Sequence, residues 1–172
     1  MSKVLIAYST VDGQTLKISQ RISEEIKEEV VIKSFEETNS LIEYDKIIVA
    51  SSIRYGKFPK SLYKFVESNQ QQLEEKQADF FGVNLIARTP EKCLIENNVY
   101  VRKFLESISW EPHHVEIFAG ALKYTKYRAF DKLMIRLIMK KTGGPTDTKV
   151  DTEFTNWNQV SYYASRVQNE LC

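Results

Sequence analysis

The sequence predicts an α/β fold, a doubly wound five-stranded parallel sheet of order 2-1-3-4-5, and three observations carry the prediction. Short β-branched or aromatic runs alternate with segments of helical periodicity along the 172 residues. The runs are continuously apolar, as in strands covered by helices on both faces. A turn rich in hydroxyls, Ser9-Thr10-Val11-Asp12-Gly13-Gln14-Thr15, separates the first run from the first helical segment. In such sheets ligands bind beyond the carboxyl ends of the strands, between strands 1 and 3.

The elements follow in order. The strand-like runs are 3–9, 30–35, 46–51, 79–87 and 114–120. The first helix extends from Leu16 to Glu29, with Ile18, Ile22 and Ile26 recurring every four residues on one face. The second opens at Pro59, a residue suited to a first helical turn, and turns Leu62, Phe65 and Val66 inward. The third covers 95–108 with Val101, Phe104, Leu105 and Ile108. The last covers 155–171 with Trp157, Val160, Ala164, Val167 and Leu171 as its stripe and Thr155 as its cap. No repeat or linker interrupts the chain, so one domain, 1–172, is expected. A hydrophobic content of 42% supports a packed core. Cys93 and Cys172 have no metal or redox spacing, which points to a reduced compartment. No signal peptide and no bilayer-spanning run is evident.

The first turn carries the most chemistry. Backbone N–H groups at a helix start are unsatisfied and carry partial positive charge, so hydroxyls and a glycine around them make a phosphate socket. The turn lacks the lysine of a P-loop and the three spaced glycines of a dinucleotide site. A monophosphate fits it, and so does a plain capped helix. After strand 3 comes Ser51-Ser52-Ile53-Arg54-Tyr55-Gly56-Lys57, where Tyr55 can stack on a flat ring and Gly56 lets the backbone approach. A surface turn is the alternative. After strand 4 comes Asn84-Leu85-Ile86-Ala87-Arg88, where the Asn84 amide needs partners, either a heterocycle edge or a neighbouring loop. The loops hold no nucleophile–base pair. His113 and His114 lie before strand 5, at the opposite end, and are taken as structural or solvated. A phosphate socket, a flat cleft and no acid–base dyad describe a site whose cofactor carries the chemistry. Flavin mononucleotide (FMN) matches, with one phosphate and one flat ring.

The net charge of +1 conceals an asymmetry. Residues 122–142 hold seven cations, among them Lys123, Arg128, Lys132, Arg136 and Lys140, against the single acid Asp131. That segment is +6, which leaves −5 on the remainder. It belongs to an insertion at about 121–150, where a minimal fold would run from Gly120 directly to the last helix. From Tyr127 to Lys141 the pattern is helical, with Phe130, Met134, Leu137 and Ile138 as an apolar stripe beside rows of cations. Such a helix docks on an anionic membrane surface or a partner, each cation contributing about 1 kcal/mol near an anionic leaflet. Packing on its own domain is the alternative. Near-neutral total charge argues against nucleic acid. The turn Gly143-Gly144-Pro145-Thr146-Asp147 that follows either closes over a ligand or stops the helix.

Taken together these stretches, with Phe118 to Tyr124, resemble the flavodoxin-type, quinone-dependent protoporphyrinogen IX dehydrogenases of bacterial haem biosynthesis. The similarity covers nearly the whole chain. Its specific part is the basic insertion followed by Gly143-Gly144; Val11 departs from the family pattern, where a charged residue is common. The resemblance implies a flavodoxin-like fold, FMN, protoporphyrinogen IX as reductant and a membrane quinone, menaquinone or ubiquinone, as acceptor. It also implies a peripheral position on the cytoplasmic side of the bacterial inner membrane and leaves room for a homo-oligomer. Under that resemblance FMN is held by Ser9 to Thr15, Ser52 to Gly56, Asn84, Leu85, Ala87, Arg88 and Gly143 to Asp147. No catalytic side chain and no metal are expected. Arg54, Arg88, Lys123 and Arg128 are candidate partners for substrate propionates, since guanidinium groups pair carboxylates bidentately. Two rivals share the fold. A flavodoxin electron carrier would be strongly acidic, and an NAD(P)H–quinone reductase would need a nicotinamide site for which no separate fingerprint is present.

Overall fold

The computed structural model describes residues 2–172. Five parallel strands, β1 (Lys3–Ser9), β2 (Glu29–Ser34), β3 (Lys46–Ser52), β4 (Asp79–Asn84) and β5 (Val115–Ala119), pair in the order β2-β1-β3-β4-β5. Strand periodicity divides the core in two. Leu5, Ala7, Ile47, Val49, Phe80 and Ile117 face helices α2 (Lys60–Glu75) and α3 (Val99–Ser107), meeting Leu62, Phe65, Phe104 and Trp110. Val4, Ile6, Ile48, Ala50, Phe81 and Phe118 face α1 (Gln14–Glu25) and α5 (Trp157–Leu171), meeting Ile18, Ile22, Val160, Tyr163 and Val167. Burial of the central strands on both faces is why they are apolar throughout.

Several boundaries differ from the sequence reading. Helix α1 stops at Glu25 because Ile26 turns extended and leads into the β-branched β2. Strand β4 ends at Asn84, not at residue 87. The Asn84 carbonyl oxygen of the side chain accepts the Ala87 N–H at 3.0 Å and turns the chain into a short 3₁₀ segment, Ile86–Arg88. Helix α3 begins at Val99, after an Asn98 cap. The last helix is capped by Asn156, whose side chain accepts from Asn158 and Gln159 N–H groups. Thr155 instead buries its hydroxyl between the Ala119 carbonyl (2.7 Å) and the Gln14 amide (2.9 Å).

The insertion has a base, a helix and a core of its own. Strands β6 (Ala121–Leu122) and β7 (Thr152–Glu153) pair antiparallel where it leaves and rejoins the sheet. Between them helix α4 (Ala129–Thr142) packs Ile135 and Met139 on Leu122, Tyr124 and Tyr127. The expected apolar stripe is mostly on the other side. Phe130 is 71% exposed, Leu137 54% and Ile138 40%, joined by Leu133 at 56%, which the expected stripe did not include.

At the amino ends of the strands a buried ionic chain ties the sheet to α5. The Lys46 ammonium donates to Asp79 at 2.9 Å and Glu170 at 3.0 Å. Tyr163 donates to Asp79 (2.9 Å), and His114 meets Glu170 at 2.7 Å. His114 is thereby a structural residue far from the carboxyl ends of the strands.

Candidate functional site

The loops after β1, β3 and β4 converge with the insertion on a cavity of about 350 Å³. Thr10, Val11, Asp12 and Gln14 come from the first loop, Ser52 to Gly56 from the second, and Asn84 and Leu85 from the third. Tyr100 of α3, Tyr127, and Ile135 and Ile138 of α4 complete the lining. Such convergence follows from the topology, because β1, β3 and β4 are neighbours and all point their carboxyl ends the same way.

The first loop leaves the start of α1 without a side-chain cap. Gly13 stands at the helix start with φ +88°. Thr10 Oγ1 accepts the Gly13 N–H at 3.0 Å, which shapes the loop and leaves the first helical turn to an outside acceptor. Thr15 Oγ1, buried in that turn, has no partner. Ser52 Oγ and Asn84 Nδ2, on the other two loops, are also buried without a partner. Buried polar atoms are nearly always bonded. Ser52 and Asn84 line the cavity, so their unpaired atoms can face a ligand there, whereas Thr15 is fully buried in the first turn of α1 and does not line it. A monophosphate ester carrying a flat heterocycle, the composition of FMN, fits this donor set.

The other sequence-derived residues sort by what they already hold. Ser9 and Ser51 share a hydroxyl–hydroxyl bond of 2.8 Å across β1 and β3. Gln14 bonds Glu153 (3.1 Å) as well as Thr155, fastening the loop to β7. Ala87 is buried outside the cavity. Arg88 donates to the Leu85 carbonyl (3.0 Å) and to the Thr142 carbonyl and hydroxyl (3.0 and 2.9 Å), clamping the end of α4. It is therefore not a free partner for a propionate. Residues Gly143 to Asp147 do not reach the cavity. Gly143 (φ +70°) ends α4 in the left-handed conformation, Gly144 N–H returns to Met139, and Pro145 accepts from Tyr124. In the structure they form the stop of α4. Lys123 is half-buried at the insertion's base; Arg128, Arg136 and Lys140 are exposed on α4 and its first turn, with Lys132 half-buried among them.

A charged network crosses the cavity mouth. Arg54 Nη1 donates to both oxygens of Asp12, at 3.1 and 2.9 Å, and the Tyr127 hydroxyl donates to Asp12 at 3.2 Å. The guanidinium lies over the Tyr127 ring, 4.7 Å from its centroid, and 5.4 Å from that of Tyr55. Tyr55, at φ +50°, donates its hydroxyl to Asp131 of α4. Burial, with the Asp12 carboxylate adding to it, pushes the Tyr127 phenol up to about 12. Tyr127 is thus a neutral donor throughout the physiological range. A side chain at Gly56 (φ +74°) would be strained and would force the Tyr100 ring to shift, because a Cβ would meet it at 2.8 Å. Tyr100, Tyr127 and Asp131 escaped the sequence reading. Tyr127 and Asp131 carried a partial signal, both lying within the cation-rich segment in which Asp131 is the single acid.

The chain matches the family described as Flavodoxin domain over residues 5–149. It is 38% identical over 170 residues to the Escherichia coli (strain K12) protein named "Protoporphyrinogen IX dehydrogenase [quinone]", covering 96% of this chain and 94% of that one. A Leishmania major protein of the same name is 39% identical over 169 residues, covering 95% and 73%. Among solved structures, rubredoxin oxygen:oxidoreductase from Desulfovibrio gigas superposes on 99% of the chain and 36% of its own length, with a TM-score of 0.52 and 12% identity, a likeness of fold alone. Fold, match and near full-length identity agree: the chain belongs to the flavodoxin-domain family, and within it to the protoporphyrinogen IX dehydrogenase [quinone] relatives.

Proposed function

We propose that this protein binds FMN in the three-loop cavity, oxidises protoporphyrinogen IX to protoporphyrin IX, and passes the electrons to a membrane quinone in haem biosynthesis. The observation that carries the cofactor is a cavity walled by Ser52 Oγ and Asn84 Nδ2, both buried without a partner, beside a helix start that no side chain caps. The substrate and acceptor come from the names of the relatives at 38–39% identity.

FMN supplies the two-electron acceptor when bound. The chain's residues bind and orient. The first turn of α1 offers its N–H groups to the phosphate. Asn84 and Ser52 offer polar atoms at the cavity wall, and Tyr55, Tyr100 and Tyr127 give it flat apolar sides. Asp12, paired with Arg54, is the acid on the cavity lining, and in this reading the side chains bind and orient while the cofactor carries the electrons.

The quinone reading draws on α4. Phe130, Leu133 and Leu137 project outward, with Arg136, Lys140 and Lys141 exposed near them. Meanwhile Ile135 and Ile138 of the same helix line the cavity. An apolar outer stripe with cations lies in the headgroup boundary and brings the cavity mouth to the bilayer, where quinones reside. Among the described residues no helix is long and apolar enough to cross a membrane, which leaves peripheral docking as the mode of attachment proposed here.

The phosphate socket is tested by comparing FMN with riboflavin. FMN binds with one equivalent and at least about a hundredfold more tightly, since charge-assisted bonds at a helix start are lost with the phosphate. Equal affinities would overturn the cofactor assignment.

A further inference from the structure

We infer that Arg54 is the receptor for a substrate carboxylate and that Asp131, facing its open edge without bonding it, guards this receptor until substrate arrives; the inference rests on the porphyrinogen reading above. Arg54 is committed on one side only. Its Nη1 holds Asp12 through two bonds of normal length. Its Nη2 faces Asp131 at 3.7 Å, too far for a hydrogen bond. The same Asp131 oxygen is held by the Tyr55 hydroxyl. Guanidinium groups receive carboxylates through two parallel bonds, and this edge holds no carboxylate within bonding distance.

The surroundings are built to keep the guanidinium in place while its outer edge stays open. The Tyr127 ring and Asp12 fix its plane, so little side-chain entropy is lost when a new partner binds. Side-chain exposures of 23% for Arg54 and 31% for Asp131 leave the outer edge within reach of solvent. Asp131 is also the sole acid among the seven cations of residues 122–142. One cation thus faces two carboxylates. A third, arriving on a flat dicarboxylic ring such as a porphyrinogen, is repelled by Asp131 unless Asp131 swings away from the guanidinium. Arg88 cannot take this role, because its guanidinium is bonded to the carbonyls of Leu85 and Thr142.

The experiment titrates the FMN-loaded full chain with protoporphyrin IX and with its dimethyl ester, following porphyrin fluorescence. The wild type should bind the diacid about tenfold or more tightly than the diester. Asp131→Asn, an isosteric change on an exposed helix, should tighten diacid binding about five- to tenfold and leave the diester unchanged. Arg54→Gln should abolish the preference for the diacid, with Arg54→Lys intermediate because it keeps the charge and loses the fork. Flavin content and circular dichroism confirm that each variant is folded; if Arg54→Gln does not fold, Asp131→Asn alone decides. Equal binding of diacid and diester by the wild type, or an Asp131→Asn variant with unchanged or weaker diacid binding, overturns the inference and leaves the porphyrinogen reading standing. Failure of the wild type to bind either porphyrin overturns both.

Discussion

At the scale of single residues, function and stability are written at opposite ends of the strands. Gly56 shows the functional end. Its φ of +74° and the Tyr100 ring 2.8 Å from a hypothetical Cβ would strain an alanine there. Gly56→Ala should cost about 1–2 kcal/mol in urea unfolding and weaken FMN binding at least tenfold. Unchanged affinity would mean that the Tyr55–Gly56 turn does not shape the cavity. Lys46 shows the structural end. Removing its ammonium leaves Asp79 buried without its cation, so Lys46→Ala should lose about 3–5 kcal/mol while retaining the flavin spectrum at low denaturant.

Glu170 makes the same ionic chain sensitive to acid. Burial works to raise its pKa, but the Lys46 hydrogen bond and charge, joined by His114, outweigh it and hold the carboxyl below the ordinary 4.5. A depressed folded value means that its contribution is present above about pH 4.5 and is lost as pH falls through the lower folded value. Thermal unfolding between pH 7 and pH 3 should therefore show a drop in Tm on the acid side that is smaller in Glu170→Gln. Parallel profiles for the two proteins would remove Glu170 from the acid response.

At the scale of elements, the insertion shows how far periodicity reaches. The helix was legible from residues 127–141, and its cations from simple counting. Which face it buries was not, because α4 has two apolar faces. Ile135 and Met139 serve the insertion's own core, while Phe130, Leu133 and Leu137 are left outside. A helix-wide pattern cannot rank two such faces without knowing where Tyr124 and Tyr127 sit. The turn at 143–147 was ambiguous for the same reason, since glycines serve a ligand or a helix stop equally well; in the structure Gly144 N–H returns to Met139. Replacing Phe130, Leu133 and Leu137 together with serine should cut sedimentation with anionic liposomes at least tenfold. Flavin binding should be retained, because none of the three lines the cavity. Equal sedimentation would return α4 to the role of a packing helix.

At the scale of the molecule, the sheet order and the ligand crevice followed from strand–helix alternation alone, and the three loops met where that order requires. Ser52, Tyr55 and Asn84 were legible because a polar or aromatic group at a strand end is conspicuous. Tyr100 and Asp131 were not, since each lies on a helix far away in sequence and reaches the cavity mouth only through tertiary packing. Whether the assembled site oxidises a porphyrinogen or relays electrons from a nicotinamide is decided by one anaerobic experiment. The FMN-loaded protein is mixed with protoporphyrinogen IX or with NADPH, and the visible flavin band is followed. Protoporphyrinogen IX should bleach the band, NADPH should not, and a quinone should restore it. Bleaching by NADPH alone would contradict the proposed function.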